Sequence, residues 1–171
     1  MNIVVLSGSP RKNGNSVALV NAFAKGASEA GHTVEVVDCT KINVTPMRFD
    51  PPLPDDGFTA IGKKIVQADC IVFATPLYYF GPSAQLKTVI DRFYTLNNPK
   101  EQMMEKQSVL LVAQAQPSAN AAGALMMMIR EIAHYYHWLE RGSVIACDVR
   151  APGDIEKTSY LEQAYNLGKS L

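Results

Sequence analysis

Between residues 7 and 16 the chain reads Ser-Gly-Ser-Pro-Arg-Lys-Asn-Gly-Asn-Ser, a run with hydroxyls, amides and two cations but no carboxylate. That composition suits an anion. Ser7, Ser9 and Ser16 can donate hydroxyl hydrogens, and Asn15, with Asn13 beside it, can donate a side-chain amide. Gly8 and Gly14 permit tight turns or close backbone approach, and Arg11 or Lys12 can neutralise a ligand from the rim. The run is not a nucleotide-triphosphate loop, because Asn15 rather than lysine follows Gly14, and it carries no GxGxxG dinucleotide fingerprint. A plain strand-to-helix turn with its cap would use the same residue types. The position directly after the first apolar segment favours the anion site, where free amides and a helix N-terminus face the ligand.

Two further segments have ligand-binding character. Pro76-Leu77-Tyr78-Tyr79-Phe80-Gly81 offers aromatic surfaces to a planar ring and polar tips or backbone groups to its edge. Which of Tyr78, Tyr79 and Phe80 would stack is open, and any one of them fits a core or a subunit interface as well. Gln114 to Asn120 is rich in small residues that leave space, with Gln114 and Gln116 as candidate ring contacts. Ser118 and Asn120 can equally cap the following helix, and for Asn120 capping is the favoured reading.

These three segments need a scaffold that gathers them. Ile3–Leu6, Thr33–Val37, Cys70–Ala74, Ser108–Ala113 and Ser143–Val149 read as strands. Between them, helical spacing covers Asn15–Ala30, with inner residues Val17, Val20, Ala24 and Ala27, then Gly57–Ala68 and Ser83–Tyr94. A long apolar helix is predicted over Asn120–Leu139, and a last one from about Asp154 with Leu161, Ala164, Leu167 and Leu171 inward. Pro46, Pro51, Pro52 and Pro54 make residues 41–56 a loop. This alternation predicts a doubly wound α/β fold, for which five parallel strands in the flavodoxin-like order 2-1-3-4-5, with helices on both faces, are a natural arrangement. Ligands of such sheets bind beyond the carboxyl ends of the strands, where all three segments fall.

The 171 residues fit one domain, and 16 basic against 16 acidic side chains imply no broad nucleic-acid-binding face. No apolar run reaches the roughly 20 residues that span a bilayer. Met1 to Leu6 leads directly into a strand rather than a signal peptide, and Cys39, Cys70 and Cys147 are odd in number and far apart. A reducing cytoplasm is the expectation. Neither a metal site nor a catalytic side chain is indicated: His32, His134 and His137 suit packing or surface roles, and adjacent Met126, Met127 and Met128 would point around a helix rather than converge.

Over residues 1–150 the chain resembles the NAD(P)H-dependent FMN reductases of the flavodoxin-like superfamily. The resemblance is carried by Gly8-Ser9-Pro10-Arg11-Lys12-Asn13-Gly14-Asn15-Ser16, by Ala74-Thr75-Pro76-Leu77-Tyr78-Tyr79-Phe80-Gly81, and by Gln85-Leu86-Lys87 and Ile90-Asp91-Arg92. It implies that Ser9, Arg11, Asn15 and Ser16 surround the FMN phosphate while Pro76 to Gly81 run along the isoalloxazine and ribityl chain. It also implies a homodimer, NADPH or NADH as transient electron donor, and a small-molecule acceptor such as a flavin or quinone. An azo- or nitro-compound reductase, a one-electron carrier of flavodoxin type and a non-catalytic ligand sensor are the alternatives. Without an Asp or Glu in 75–82 or 114–120, no carboxylate ring surrounds the flavin, which favours the two-electron reductase over the carrier. Pro46-Met47-Arg48-Phe49 stands where some relatives carry clustered cysteines, so an iron–sulfur centre is not expected.

Overall fold

The computed structural model describes residues 1–171. In chain order its elements are β1 (Asn2–Ser7), α1 (Asn15–Glu29), β2 (Thr33–Asp38), α2 (Gly57–Gln67), β3 (Cys70–Pro76), α3 (Ala84–Asp91), β4 (Gln107–Ala113), α4 (Gly123–Tyr135), β5 (Leu139–Ala146) and α5 (Tyr160–Lys169). The strands form one parallel sheet in the order β2-β1-β3-β4-β5, the flavodoxin-like arrangement among the doubly wound orders that the alternation allows.

Because successive strand residues face opposite sides, the sheet buries two separate apolar clusters. Val4, Leu6, Ile71, Phe73, Leu110 and Val112 point into one with α2, α3 and α4. Ile3, Val5, Val72, Val109 and Leu111 point into the other with α1 and α5. Cys39 belongs to the first cluster and Cys70 to the second, so the sheet separates them. Burial pushes both thiols up to about 12.

The inner face of α1 differs from the expected one. Leu19, Val20, Phe23 and Ala27 are buried, whereas Val17 and Ala24 are half-buried, because the docking of α5 rotates the stripe toward Phe23. These two helices meet backbone to backbone at glycines. A Cβ on Gly168 would overlap the Phe23 carbonyl oxygen, and one on Gly26 would overlap that of Tyr165.

The largest correction lies between 120 and 149. The expected long helix is a 3-10 turn (Ala119–Ala122) followed by α4, which ends at Tyr135, and β5 covers 139–146 rather than 143–149. His137 adopts φ +55, which turns the chain, and the Trp138 indole is buried, its N–H donating to the Met103 carbonyl. An apolar run that crosses from a helix into a strand has no break in hydropathy to mark the junction. The helix expected over 83–94 likewise stops at Asp91 and tightens into a 3-10 segment, Arg92–Leu96, with Ser83 as its N-cap. The last helix starts at Tyr160, after a 3-10 turn at Asp154–Lys157.

Loop 41–56 is fixed at its root by a buried ion pair that sequence periodicity gives no sign of. Arg92 Nη1 donates to Asp56 Oδ2 at 2.8 Å and to the Thr45 carbonyl at 2.9 Å. Asp56 also accepts from the Thr45 amide (2.7 Å) and, as N-cap of α2, from the Phe58 amide (2.9 Å). Burial pushes the Asp56 carboxyl up, but these donors outweigh it and hold it well below the usual carboxylate range. Asp91, the neighbour of Arg92, instead pairs with Lys87 on the surface, so both residues are structural.

Candidate functional site

At the carboxyl end of the sheet the β1–α1 loop wraps the start of α1. Gly14 is the N-cap residue and offers no side-chain cap, and the first turn holds no acidic residue. The amides of Ser9, Arg11, Lys12, Asn13, Asn15 and Ser16 have no acceptor within the chain. Such a cluster of free N–H groups at the positive end of a helix is an anion cradle. Gly14 keeps it open, since a Cβ there would lie 2.8 Å from Ser9 Oγ and 3.1 Å from the Arg11 carbonyl oxygen. Ser9 Oγ donates to that carbonyl at 3.2 Å, while the buried Ser16 makes no side-chain hydrogen bond.

The cradle is one end of a cleft of about 270 Å³ that also takes in Pro76, Leu77, Tyr78, Ala113, Gln114, Ala115, Val149 and Arg150. Of the residues singled out from sequence, Ser9, Arg11, Asn15, Ser16, Pro76, Leu77, Tyr78 and Gln114 line it. Ser7 is buried at the end of β1, Asn13 and Gln116 are exposed outside it, and Tyr79, Phe80 and Gly81 lie beyond its mouth. No carboxylate lines the cleft.

The second loop is a tight hairpin turn. Tyr78 and Gly81 exchange both N–H···O=C bonds at 3.0 Å, and Tyr79 and Phe80 between them take φ +45 and +67. That is the type I′ pattern, which asparagine and glycine ordinarily fill. Holding two bulky aromatics there costs on the order of 1–3 kcal/mol each. The turn displays them: Tyr79 is fully exposed and Phe80 is 59% exposed, while Tyr78 faces the cleft.

Gln114 is buried and organises the third loop, its Nε2 donating to the Ser118 carbonyl at 2.7 Å, while its Oε1 has no donor. Among the cleft's side chains that oxygen is the buried acceptor left for a ligand N–H. Ser118, not Asn120, supplies the cap, its Oγ accepting from the Asn120 amide at 3.3 Å.

Sequence reasoning missed the fourth side of the cleft, the turn between β5 and α5. The β-branched run places Val149 in the fifth strand, but β5 ends at Ala146, and Ala151-Pro152-Gly153-Asp154 is the turn signal that marks the segment. Asn15 Nδ2 donates to the Ala151 carbonyl at 2.9 Å and Arg11 Nη1 to the Arg150 carbonyl at 3.0 Å, so the first loop is strapped to this turn.

A parallel sheet in the order 2-1-3-4-5 with an anion cradle at its first βα loop defines a flavodoxin-like protein. The family described as NADPH-dependent FMN reductase matches residues 1–148, and the chain belongs to that family. It is 30% identical, over 91% of its length and 89% of the other's, to a protein of Bacillus subtilis (strain 168) named as an NAD(P)H-dependent FMN-containing oxidoreductase, YwqN. It is 28% identical, over 100% of its length and 95% of the other's, to an iron–sulfur flavoprotein of Methanocaldococcus jannaschii. In this chain no three His, Cys, Asp or Glu side chains gather as metal ligands. Among solved structures, the Trp repressor binding protein from Bacillus subtilis superposes with TM-score 0.73 at 26% identity, covering 100% of this chain and 99% of that one. The NAD(P)H:quinone oxidoreductase from Methanothermobacter marburgensis shares the fold, with TM-score 0.82 at 22% identity over 99% and 95% of the two chains. Membership places the chain among the FMN-dependent oxidoreductases and electron-transfer proteins of this superfamily.

Proposed function

We propose that this chain is an FMN-dependent oxidoreductase that takes reducing equivalents from NADPH or NADH and delivers them to a small acceptor such as a flavin or quinone. The observation that carries the reading is the uncapped start of α1, whose unpaired amides face a cleft free of carboxylates. The cleft fits FMN: a phosphate answers the free amides of the first loop, and a flat ring edge with N–H groups answers the orphan Gln114 Oε1. FMN, when bound, supplies the chemistry by accepting a hydride from the nicotinamide and passing electrons onward.

The protein's part is positional. Ser9, Arg11 and Ser16 hold the phosphate end, the Pro76-Leu77-Tyr78 backbone and side chains line the ring, and Gln114 reads its edge. Tyr79 and Phe80, held out beside the mouth, give a planar acceptor an aromatic surface. No general base is required of the chain, and none lines the cleft. The homodimer reading is supported by a mainly apolar groove of about 440 Å³ between the Arg92–Leu96 segment and α4, which includes Phe93, Tyr94, Met128, Ile132 and Tyr135.

The test is anaerobic. FMN-loaded protein mixed with NADH or NADPH should lose its oxidised-flavin absorbance and regain it on adding a quinone or free flavin. Failure with both donors would overturn the reductase reading, and light scattering of the same sample tests the dimer.

A further inference from the structure

We propose that the turn between β5 and α5 is the fourth wall of the phosphate pocket, with Arg150 as a second guanidinium on the phosphate and Asn15 as the residue that positions it. This rests on the flavin reading above. Arg150 shares the cleft with Ser9, Arg11, Gly14 and Ser16, although it lies well over a hundred residues further along the chain.

The backbone at Arg150 is held from three directions. The amides of Arg150 and Ala151 donate to Asp154 Oδ2 at 3.0 and 2.7 Å, and these bonds keep the Asp154 carboxyl below its ordinary range. The Arg150 carbonyl accepts from Arg11 Nη1 at 3.0 Å. Gly153, at φ +88, closes the turn as only glycine does without strain. From the side, Asn15 is committed at both ends of its amide: Nδ2 donates to the Ala151 carbonyl at 2.9 Å, and Oδ1 accepts from the Ile155 amide at 3.5 Å. Asn15 is 7% exposed and Ile155 fully buried, so the strap is sealed into the core. Asn15 therefore acts on the ligand through the turn rather than through its own side-chain donor.

The Arg150 head remains available. Its Nε lies 3.9 Å from Asp148 Oδ1, too long for a hydrogen bond, and its side chain is 72% exposed. Arg11 and Arg150 thus line one small cleft at a helix N-terminus that is itself positive. Two guanidiniums at one helix N-terminus suit an anion between them, and a phosphate monoester supplies two negative charges with acceptors for both. FMN carries such a group, as does the 2′-phosphate of NADPH. The shared wall with the cradle assigns Arg150 to the former.

Flavin-free protein titrated with FMN and with riboflavin, followed by flavin fluorescence, tests this. Arg150→Gln should weaken FMN about tenfold, as loss of one charged hydrogen bond does, and leave riboflavin within about twofold. Asn15→Ala should reproduce the FMN-selective loss, and the double variant should lose no more than Arg150→Gln alone, because one residue works through the other. Arg150→Gln at wild-type FMN affinity overturns the proposal, as does an equal loss for riboflavin. A raised KM for NADPH with FMN binding intact also overturns it, placing Arg150 on the donor's phosphate. Additive losses overturn the positioning role of Asn15. If Asn15→Ala fails to fold, the exposed Arg150 still decides. Wild-type protein that binds no FMN would overturn the flavin reading itself, an outcome distinct from all of these.

Discussion

Replacing Asp56 with asparagine tests how the loop beside α2 is held. The carboxylate and the Arg92 guanidinium are 6% and 5% exposed and 2.8 Å apart, and the same carboxylate takes the Thr45 and Phe58 amides. Asparagine keeps the shape and removes the charge, leaving the buried guanidinium, whose Nε already lacks a partner, with the Thr45 carbonyl as its remaining acceptor. Breaking a buried pair in this way costs about 3–5 kcal/mol, and the retained amide oxygen puts Asp56→Asn near the lower end, about 3 kcal/mol. At this chain length that lowers Tm by roughly 6–12 °C. The pH dependence has a definite sign. The folded carboxyl titrates below the unfolded value of about 3.9, so its contribution is whole above that value and is lost as pH falls toward the folded one. Urea unfolding followed by circular dichroism should show the full gap between variant and wild type at about pH 7, and a narrowing gap below about pH 4, where the unfolded wild-type carboxyl protonates while the folded one stays ionised. A gap under about 0.5 kcal/mol at neutral pH, or one that does not shrink in acid, would show that the Asp56–Arg92 pair does not hold this loop.

Gly168→Ala should cost about 1–3 kcal/mol, because its Cβ overlaps the Phe23 carbonyl and lies 3.0 Å from the Ala27 amide nitrogen, and by displacing α5 it should also weaken FMN binding; thermal melts and flavin titration check both. Lys106→Met should cost about 2–3 kcal/mol in urea unfolding, since the buried Nζ donates to the Val66 and Ala68 carbonyls at the end of α2, at 2.8 and 2.7 Å. Ser16→Asp puts a carboxylate among the free amides and should weaken FMN about 100-fold with circular dichroism unchanged.

What the sequence discloses follows from what is local. The positions of the strands and of the three ligand loops were legible because apolar runs such as Cys70–Ala74 and the Ser-Gly-Asn loop advertise themselves in a few consecutive residues, whereas the order of the strands in the sheet depends on crossovers that no single segment records. The α4–β5 boundary was not, because a left-handed His137 inside an apolar stretch leaves no compositional mark. Nor were Asp56 and Arg150 visible as partners of Arg92 and of the first loop, since those contacts span 36 and 139 residues of chain and depend on how helices dock. The glycine pair Gly26 and Gly168 sets that docking for α5, and with it the place of the fourth wall.

Titrating flavin-free protein with FMN and riboflavin side by side tests most directly whether the first loop receives the phosphate of a flavin mononucleotide. Saturation at one FMN per chain, with riboflavin bound far more weakly, is the predicted result. Equal affinity for the two, or no saturable binding of FMN, would contradict it.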